Sequence, residues 1–499
     1  MNVFLSKSFL FAFLPLMLSN CVRSLDRGQN SVCYSDGDCF LGGKEGHCTR
    51  AGYCSYADPS CPSGWRYGLN APSELSNSCV LPGSEDPLSD GQTMDGKNFL
   101  RDKGSDQKPG PCGGLDQPCC ASSTCQENLV CLRGSCNCMS AVKADENFAC
   151  AQRANGTVAC WGANTNHQLG FDSLTPDQPI PVQISKLVPI AGIDLGAFHS
   201  CAWDKGGDAW CWGSNSDGQS GNSPANGDTV QATKIQNLKG VLQLAAGGFH
   251  TCARVADQTI WCWGRNSDGQ LGTGVTGNPQ NAPVKVQGFP SSLGAKNLDL
   301  AAGGFHNCVV VDTSVRCWGL NQDGQTGKGS TGLPQSTPIE VSGLSSVTQI
   351  TAGDWHSCAL KADGSIWCWG RNSSGQLGLG HTNTPVLTPS KVLGPHKFVF
   401  VVAGDDHTCA IREDRTAWCW GRNDFGQIGN GGSGGNQNIP AQVSSLSDVV
   451  YMALGRDHTC ALTKEGKLYC WGRNASGQLG TGGNPDISNT PLPALLSCT

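Results

Sequence analysis

Six histidines recur at one position: His199, His250, His306, His356, His407 and His458 each stand two residues before a cysteine. Imidazole is a common metal ligand, so six of them invite a metal reading. They come one to a repeat, however, and tetrahedral coordination needs its ligands gathered about one ion. A structural role within each repeat is the better account, and no metal is expected. Cysteine is the second reactive type, in seven pairs: Cys150/Cys160, Cys201/Cys211, Cys252/Cys262, Cys308/Cys317, Cys358/Cys368, Cys409/Cys419 and Cys460/Cys470. Each has a partner of its own, which leaves no thiol for nucleophilic chemistry. The glycine-rich stretch 429–435 lacks the Lys-Ser/Thr and the following helix of a phosphate loop. No GxSxG, HExxH or Cys/His nucleophile arrangement occurs, and no carboxylate pair has an informative spacing. Asp204, Asp363 and Asp414 fall where hairpin turns account for them. The chain is therefore expected to have no catalytic residues, no cofactor and no enzymatic activity.

The second cysteine of each pair opens a Cys-Trp-Gly triplet, at Cys160, Cys211, Cys262, Cys317, Cys368, Cys419 and Cys470. The steps between triplets are 51, 51, 55, 51, 51 and 51 residues, which means one small unit repeated in a ring or an array. Each unit reads as four short strands without a helix, the last strand containing proline. A hairpin centred on Glu465 puts Cys460 opposite Cys470, with Gly466 at the left-handed position of a three-residue loop. Opposed residues on antiparallel strands have Cα atoms about 4.5–5.5 Å apart, within disulfide range. The spacing thus predicts seven cross-strand bridges. The same register sets Ala202 against Trp210, Ala253 against Trp261, Ala359 against Trp367 and Ala410 against Trp418. The fourth unit changes both partners at once, to Val309 and Arg316.

These units resemble the RCC1-type repeat of the regulator-of-chromosome-condensation family. The resemblance rests on Gly-x-x-His followed by Cys-Ala, the short turn, and Trp-Gly-x-Asn-x-x-Gly-Gln-Leu-Gly, as in residues 451–480. It covers about residues 139–499 and implies an all-β fold, a seven-bladed β-propeller preceded by small disulfide-rich modules. Radial repetition of this kind also limits exposed sheet edges. The first unit starts without a preceding proline strand and the last ends with one, so the C-terminal strand near 491–496 is expected to complete the blade begun near residue 139. That would bring Cys498 to Cys136 or Cys138. A plant photoreceptor of this fold uses tryptophan. Of the 14 tryptophans here, seven belong to Cys-Trp-Gly and four to the preceding position, where packing explains them.

The chain of 499 residues has 29 cysteines, fourteen of them before residue 139. Such cysteine usage indicates an oxidising compartment. Residues 1–21 read as an export signal, with Lys7 and an apolar run before Cys21. Leu18-Ser19-Asn20-Cys21 is similar to a bacterial lipobox, which would lipidate Cys21; plain secretion with cleavage near Ser24 is the other reading. A cysteine-rich module at 26–80, a flexible linker at 81–111 and a knottin-like module at 112–138 would follow. The adjacent pair Cys119-Cys120 suits a disulfide framework better than zinc knuckles.

A net charge of −6 gives no footprint for nucleic acid. The leading expectation is a non-catalytic, monomeric binding scaffold, secreted or at the cell surface and bearing a lipid anchor if Cys21 is lipidated. Its contacts would be the inter-blade loops 222–229, 273–282, 328–338, 381–389 and 431–440, facing a protein or glycan partner. A secreted enzyme inhibitor, or a secreted enzyme with a propeller site, is the alternative. Guanine-nucleotide exchange, the family's founding activity, is disfavoured by the export signal and the paired cysteines.

Overall fold

In the computed structural model the described residues are 138–171, 176–222, 227–289, 297–394, 397–483 and 485–496, with short strands placed before them between residues 40 and 137. The chain divides into two units, Met1–Asp106 and Gln107–Thr499. The second holds seven four-stranded antiparallel sheets, each built from four consecutive strands. The second blade runs Gly192–Gly196, His199–Trp203, Ala209–Gly213 and Thr229–Lys234, from the axis outwards. This is the seven-bladed propeller that the repeat predicts.

Ring closure differs from the sequence expectation. The last proline strand, Ile487–Pro493, pairs with Leu468–Arg473 of its own blade. The first blade is complete by itself, from Met139–Asp145 to Asp177–Gln183. The proline strand is the outer strand that ends a unit, not the strand that begins one, and this removes the need to exchange strands. Proline suits that edge, where no further strand needs its missing N–H. Cys498 lies outside the described residues, as do Cys21, the linker and the side chains of the N-terminal modules; Cys138 is buried and disulfide-bonded.

The register sets Cys150 against Cys160 and repeats this in every blade, with each pair bridged and its Cα atoms 4.1 Å apart. Ala202 stands opposite Trp210, and Val309 opposite Arg316. Cysteines and tryptophans point to opposite faces of the third strand, and this builds the core. The bridge of one blade packs on the buried tryptophan of the next: Cys201–Cys211 on Trp263, Cys358–Cys368 on Trp420. At closure Cys460–Cys470 packs on Trp161 of the first blade. All seven of these tryptophans are fully buried, so truncating one to alanine would cost about 3–5 kcal/mol.

The glycine of each Cys-Trp-Gly sits in a bulge toward the outer strand, Gly264 at φ 99°. A Cβ there would lie 2.7 Å from the Phe249 carbonyl oxygen. Only glycine accepts both the dihedral and the approach.

Candidate interaction face and axial channel

Antiparallel pairing puts the turn between the first and second strands, and the loop between the third and fourth, on one face of the disc. The loops at 222–229, 273–282, 328–338, 381–389 and 431–440 are therefore connections within blades rather than between them. The strand-three-to-four link carries the variable residues because Trp-Gly-x-Asn-x-x-Gly-Gln fixes only its first half. Asn266 shows how: its Oδ1 accepts from Leu271 N (3.1 Å) and its Nδ2 donates to Val275 O (3.1 Å).

The histidines lie in the seams, fully buried. His199 Nε2 is 2.7 Å from Thr251 Oγ1 of the next blade, and Thr251 Oγ1 donates to the Gln219 carbonyl (2.9 Å). Because that hydroxyl proton is already committed, His199 must donate from Nε2. The same relay links His250 to Asn307, His306 to Ser357, His356 to Thr408 and His407 to Thr459. Tryptophan indoles share the glutamine carbonyls, Trp263 Nε1 donating to Gln219 O at 2.9 Å. Burial pushes His199, His306, His356 and His407 down to about 3, and His250 and His458 to about 4, which keeps the imidazoles neutral. Here the histidines tie blade to neighbouring blade, not backbone within a blade.

The first blade has Phe148-Ala149 where the others have His followed by Ser, Thr or Asn. His458 of the last blade consequently finds no partner for Nε2. The Glu146 carbonyl faces its ring but without hydrogen-bond geometry.

The turns Gly-x-x-His surround the axis and differ by blade. Phe198, Phe249, Phe305 and Trp355 form a half-buried aromatic arc over blades two to five. Their ring centroids are 5.7, 5.9 and 5.2 Å apart in sequence. The Arg265 guanidinium lies 5.1 Å over Phe249 and that of Arg371 lies 4.6 Å over Trp355. Across blades five, six, seven and one the turns carry Asp354, Asp405-Asp406, Arg456-Asp457 and Asp145-Glu146 instead. Arg456 pairs with Glu146 at 3.6 Å, and Arg422 and Arg473 both reach Asp457 (3.4 and 3.5 Å).

The innermost strands enclose a polar cavity of about 240 Å³ on the axis. Side chains in its middle staple neighbouring blades. Gln243 Nε2 donates to Leu300 O (2.9 Å), Ala246 N donates to Asp194 Oδ2 (3.0 Å) and Ile350 N donates to Asp299 Oδ2 (3.0 Å). Gln349 Nε2 donates to Val401 O at 2.9 Å. Lys143 is 2.8 Å from Asp194. Burial opposes its charge, but Asp194 and Tyr451 beside it hold its pKa raised.

At the lip Asp145, Asp354 and Asp405 come together from blades one, five and six. Burial raises all three; Asp354 then repels Asp145 and Asp405, while Glu146 and Asp406 help to push Asp354 up to about 7. The sequence reading found no informative carboxylate pair because these residues are 51 to 260 positions apart along the chain. Setting the Gly-x-x-His turns side by side would have exposed them. Among the described residues no three His, Cys, Asp or Glu side chains are placed to hold a metal ion.

Comparison with known proteins matches residues 228–498 to the RCC1-like domain and residues 155–203 to the regulator of chromosome condensation (RCC1) repeat. The chain is similar to the Ultraviolet-B receptor UVR8 of Arabidopsis thaliana, with 30% identity over 366 residues, 71% of this chain and 82% of the receptor. It is similar also to the RCC1 domain-containing mitochondrial protein RUG3 of the same plant, at 29% over 320 residues, 60% of this chain and 69% of that protein. Among solved structures, yeast RCC1 (Prp20), determined with Kap60 bound, superposes with a TM-score of 0.62 at 22% identity, covering 72% of this chain and 86% of that one. With the seven Cys-Trp-Gly blades and their inter-blade relay, these matches show that the chain belongs to the RCC1 repeat family.

Proposed function

We propose that this protein is a non-catalytic, extracellular or cell-surface scaffold that binds a protein partner through the face bearing the inner turns and the strand-three-to-four loops. The observation that carries this reading is the aromatic arc Phe198–Phe249–Phe305–Trp355, half-buried on one face beside a run of acids. Aromatic groups that remain partly exposed and are flanked by arginines have the composition of interaction hot spots. The compartment rests on the seven bridges, since such pairs persist where thiols are oxidised. A lipid anchor at Cys21 would hold the scaffold at a membrane.

The test is affinity capture from the protein's native surroundings by the full chain and two double variants. Phe249→Ala/Trp355→Ala removes two members of the arc. Leu242→Ser/Val399→Ser alters exposed apolar residues at the other ends of the innermost strands. The expected result is that the first variant loses a protein captured by the parent, while the second retains it. Equal capture by all three would overturn the assignment of the face.

A further inference from the structure

The acids along the axis fall into two groups. Asp194 and Asp299 accept backbone N–H bonds from neighbouring blades, so they are part of the staple that holds the innermost strands together. The lip acids have no such task. Asp405 is 9% exposed, and no donor among the described residues reaches its carboxylate. Asp145 accepts only the adjacent Glu146 N–H, at 2.7 Å. The Asp354 carboxylate lies across the turn of blade four, where any side chain at Gly304 would run into it. A buried carboxylate without a donor is costly, and three facing one cavity compound the cost.

Among the described residues the cations nearest the lip pair with other groups, although Arg456 also attracts Asp354 and Asp405. Lys143 sits deeper, on Asp194. Arg456 is held by Glu146, and Arg422 by Asp424 (2.7 Å) and Asp457. Arg371 lies over Trp355 and 3.6 Å from Asp323. Between the lip and the Lys143 level the cavity remains, polar-walled, with Phe400 and Tyr451 among the residues that line it.

We propose that the lip formed by Asp145, Asp354 and Asp405 is a binding site for an organic cation, an alkylammonium or guanidinium group. The three carboxylates supply charge and acceptors, the cavity takes the alkyl stem, and the neighbouring aromatics suit a cation's apolar flank. Their acceptors are spread over three blades, which suits a group with several diverging N–H donors better than a single small ion. The cation can arrive as a free small amine or as a lysine or arginine side chain of a partner. This site does not depend on the docking reading above, because a free amine can occupy it with no protein partner present.

Isothermal titration calorimetry on the full chain tests it, with n-butylammonium, n-butylguanidinium and calcium as separate probes. At least one organic cation is expected to bind at a single site. Because the lip carboxyls are held partly protonated by burial and each other, with Glu146 and Asp406 adding repulsion and Arg456 opposing it, binding is expected to release protons. That release appears as heat dependent on the buffer. Asp405→Asn and Asp354→Asn should each weaken binding roughly tenfold or more, as loss of one member of a buried charge contact does. Asp363→Asn, in a hairpin turn between the second and third strands on the opposite face, should leave it unchanged. Neutralising a lip acid removes repulsion, so both lip variants should unfold at or above the parent's midpoint, which separates lost binding from lost fold. A short lysine peptide that binds where butylammonium does not would assign the cation to a partner side chain. No binding of any amine, guanidinium or lysine peptide, equal binding by the lip variants, or tighter calcium binding lost in the same variants would overturn the proposal.

Discussion

Replacing Ala149 by serine should strengthen the seam where the ring closes. Every other blade has a hydroxyl or amide at the equivalent place, and in blades three to seven it pairs with a histidine of the preceding blade. Ser200, at the same register in blade two, donates to the Gln168 carbonyl at 2.8 Å and occupies a fully buried position. Ala149 is equally buried, and the Gln478 carbonyl it would face already accepts from Trp161 Nε1 at 2.9 Å. The Ala149→Ser hydroxyl would donate to Gln478 O and accept from His458 Nε2. Two buried hydrogen bonds contribute about 1 kcal/mol each, and relieving an unsatisfied N–H adds to this, while burying a hydroxyl subtracts; the net gain is about 1–2 kcal/mol. Urea unfolding followed by tryptophan fluorescence measures it. The control is a double-mutant cycle with His458→Phe, the residue type that nature places at the matching position of blade one, Phe148. If the relay is the cause, the cycle gives a coupling of about 1 kcal/mol, and the gain is smaller by that amount in the His458→Phe background. A loss of stability, or an equal gain in both backgrounds, would refute the relay argument.

Acid should unfold the protein early. The six histidines have folded pKa values near 3 to 4, depressed by burial, against about 6.5 when unfolded. Their contribution is present above pH 6.5 and is lost as pH falls toward those values, about 2 kcal/mol each by pH 5. The lip acids act in the opposite sense. Their raised pKa values make stability greatest below about pH 4 and diminish it as pH rises toward 7, the value of Asp354. Six imidazoles outweigh three carboxyls, so urea midpoints should fall between pH 6.5 and 4.5, and fall further in Asp354→Asn, which removes part of the offset. A flat profile would contradict the neutral-histidine assignment. Removing one bridge, by Cys358→Ala with Cys368→Ala, should cost about 3 kcal/mol from loop-closure entropy over its ten-residue span, with the blade still formed. Hydrogen exchange at the Thr351–Ala359 region would show the change, and protection equal to the parent's would count against it.

Most of the fold was legible because its determinants are local and sevenfold. Opposing Cys460 to Cys470 requires only a ten-residue spacing and a glycine at the turn, and Ala202 against Trp210 follows from the same register. Ring closure was misread because the proline strand can be placed at either end of a unit; hydrogen bonding of Ile487–Pro493 to Leu468–Arg473 decides it. The histidine role was half legible. Repetition, one histidine to a unit, pointed to structure, but the partner on the next blade, such as Thr251 for His199, lies one full unit away. The lip acids were illegible by spacing for the same reason: Asp145, Asp354 and Asp405 meet only when the ring brings distant turns together at the axis.

Every bridge between described cysteines of the propeller lies within a blade, and none crosses a seam. Mechanically the ring is a split washer whose segments are individually riveted. Its cut ends meet between the last blade and the first, where no peptide bond joins the blades and His458 has no relay partner. Tension applied to the chain ends should therefore part that joint first, and the six other seams can stay shut while it gapes. A protein tethered by its N-terminal region and pulled through a partner on its face would yield there, reversibly, without breaking a covalent bond.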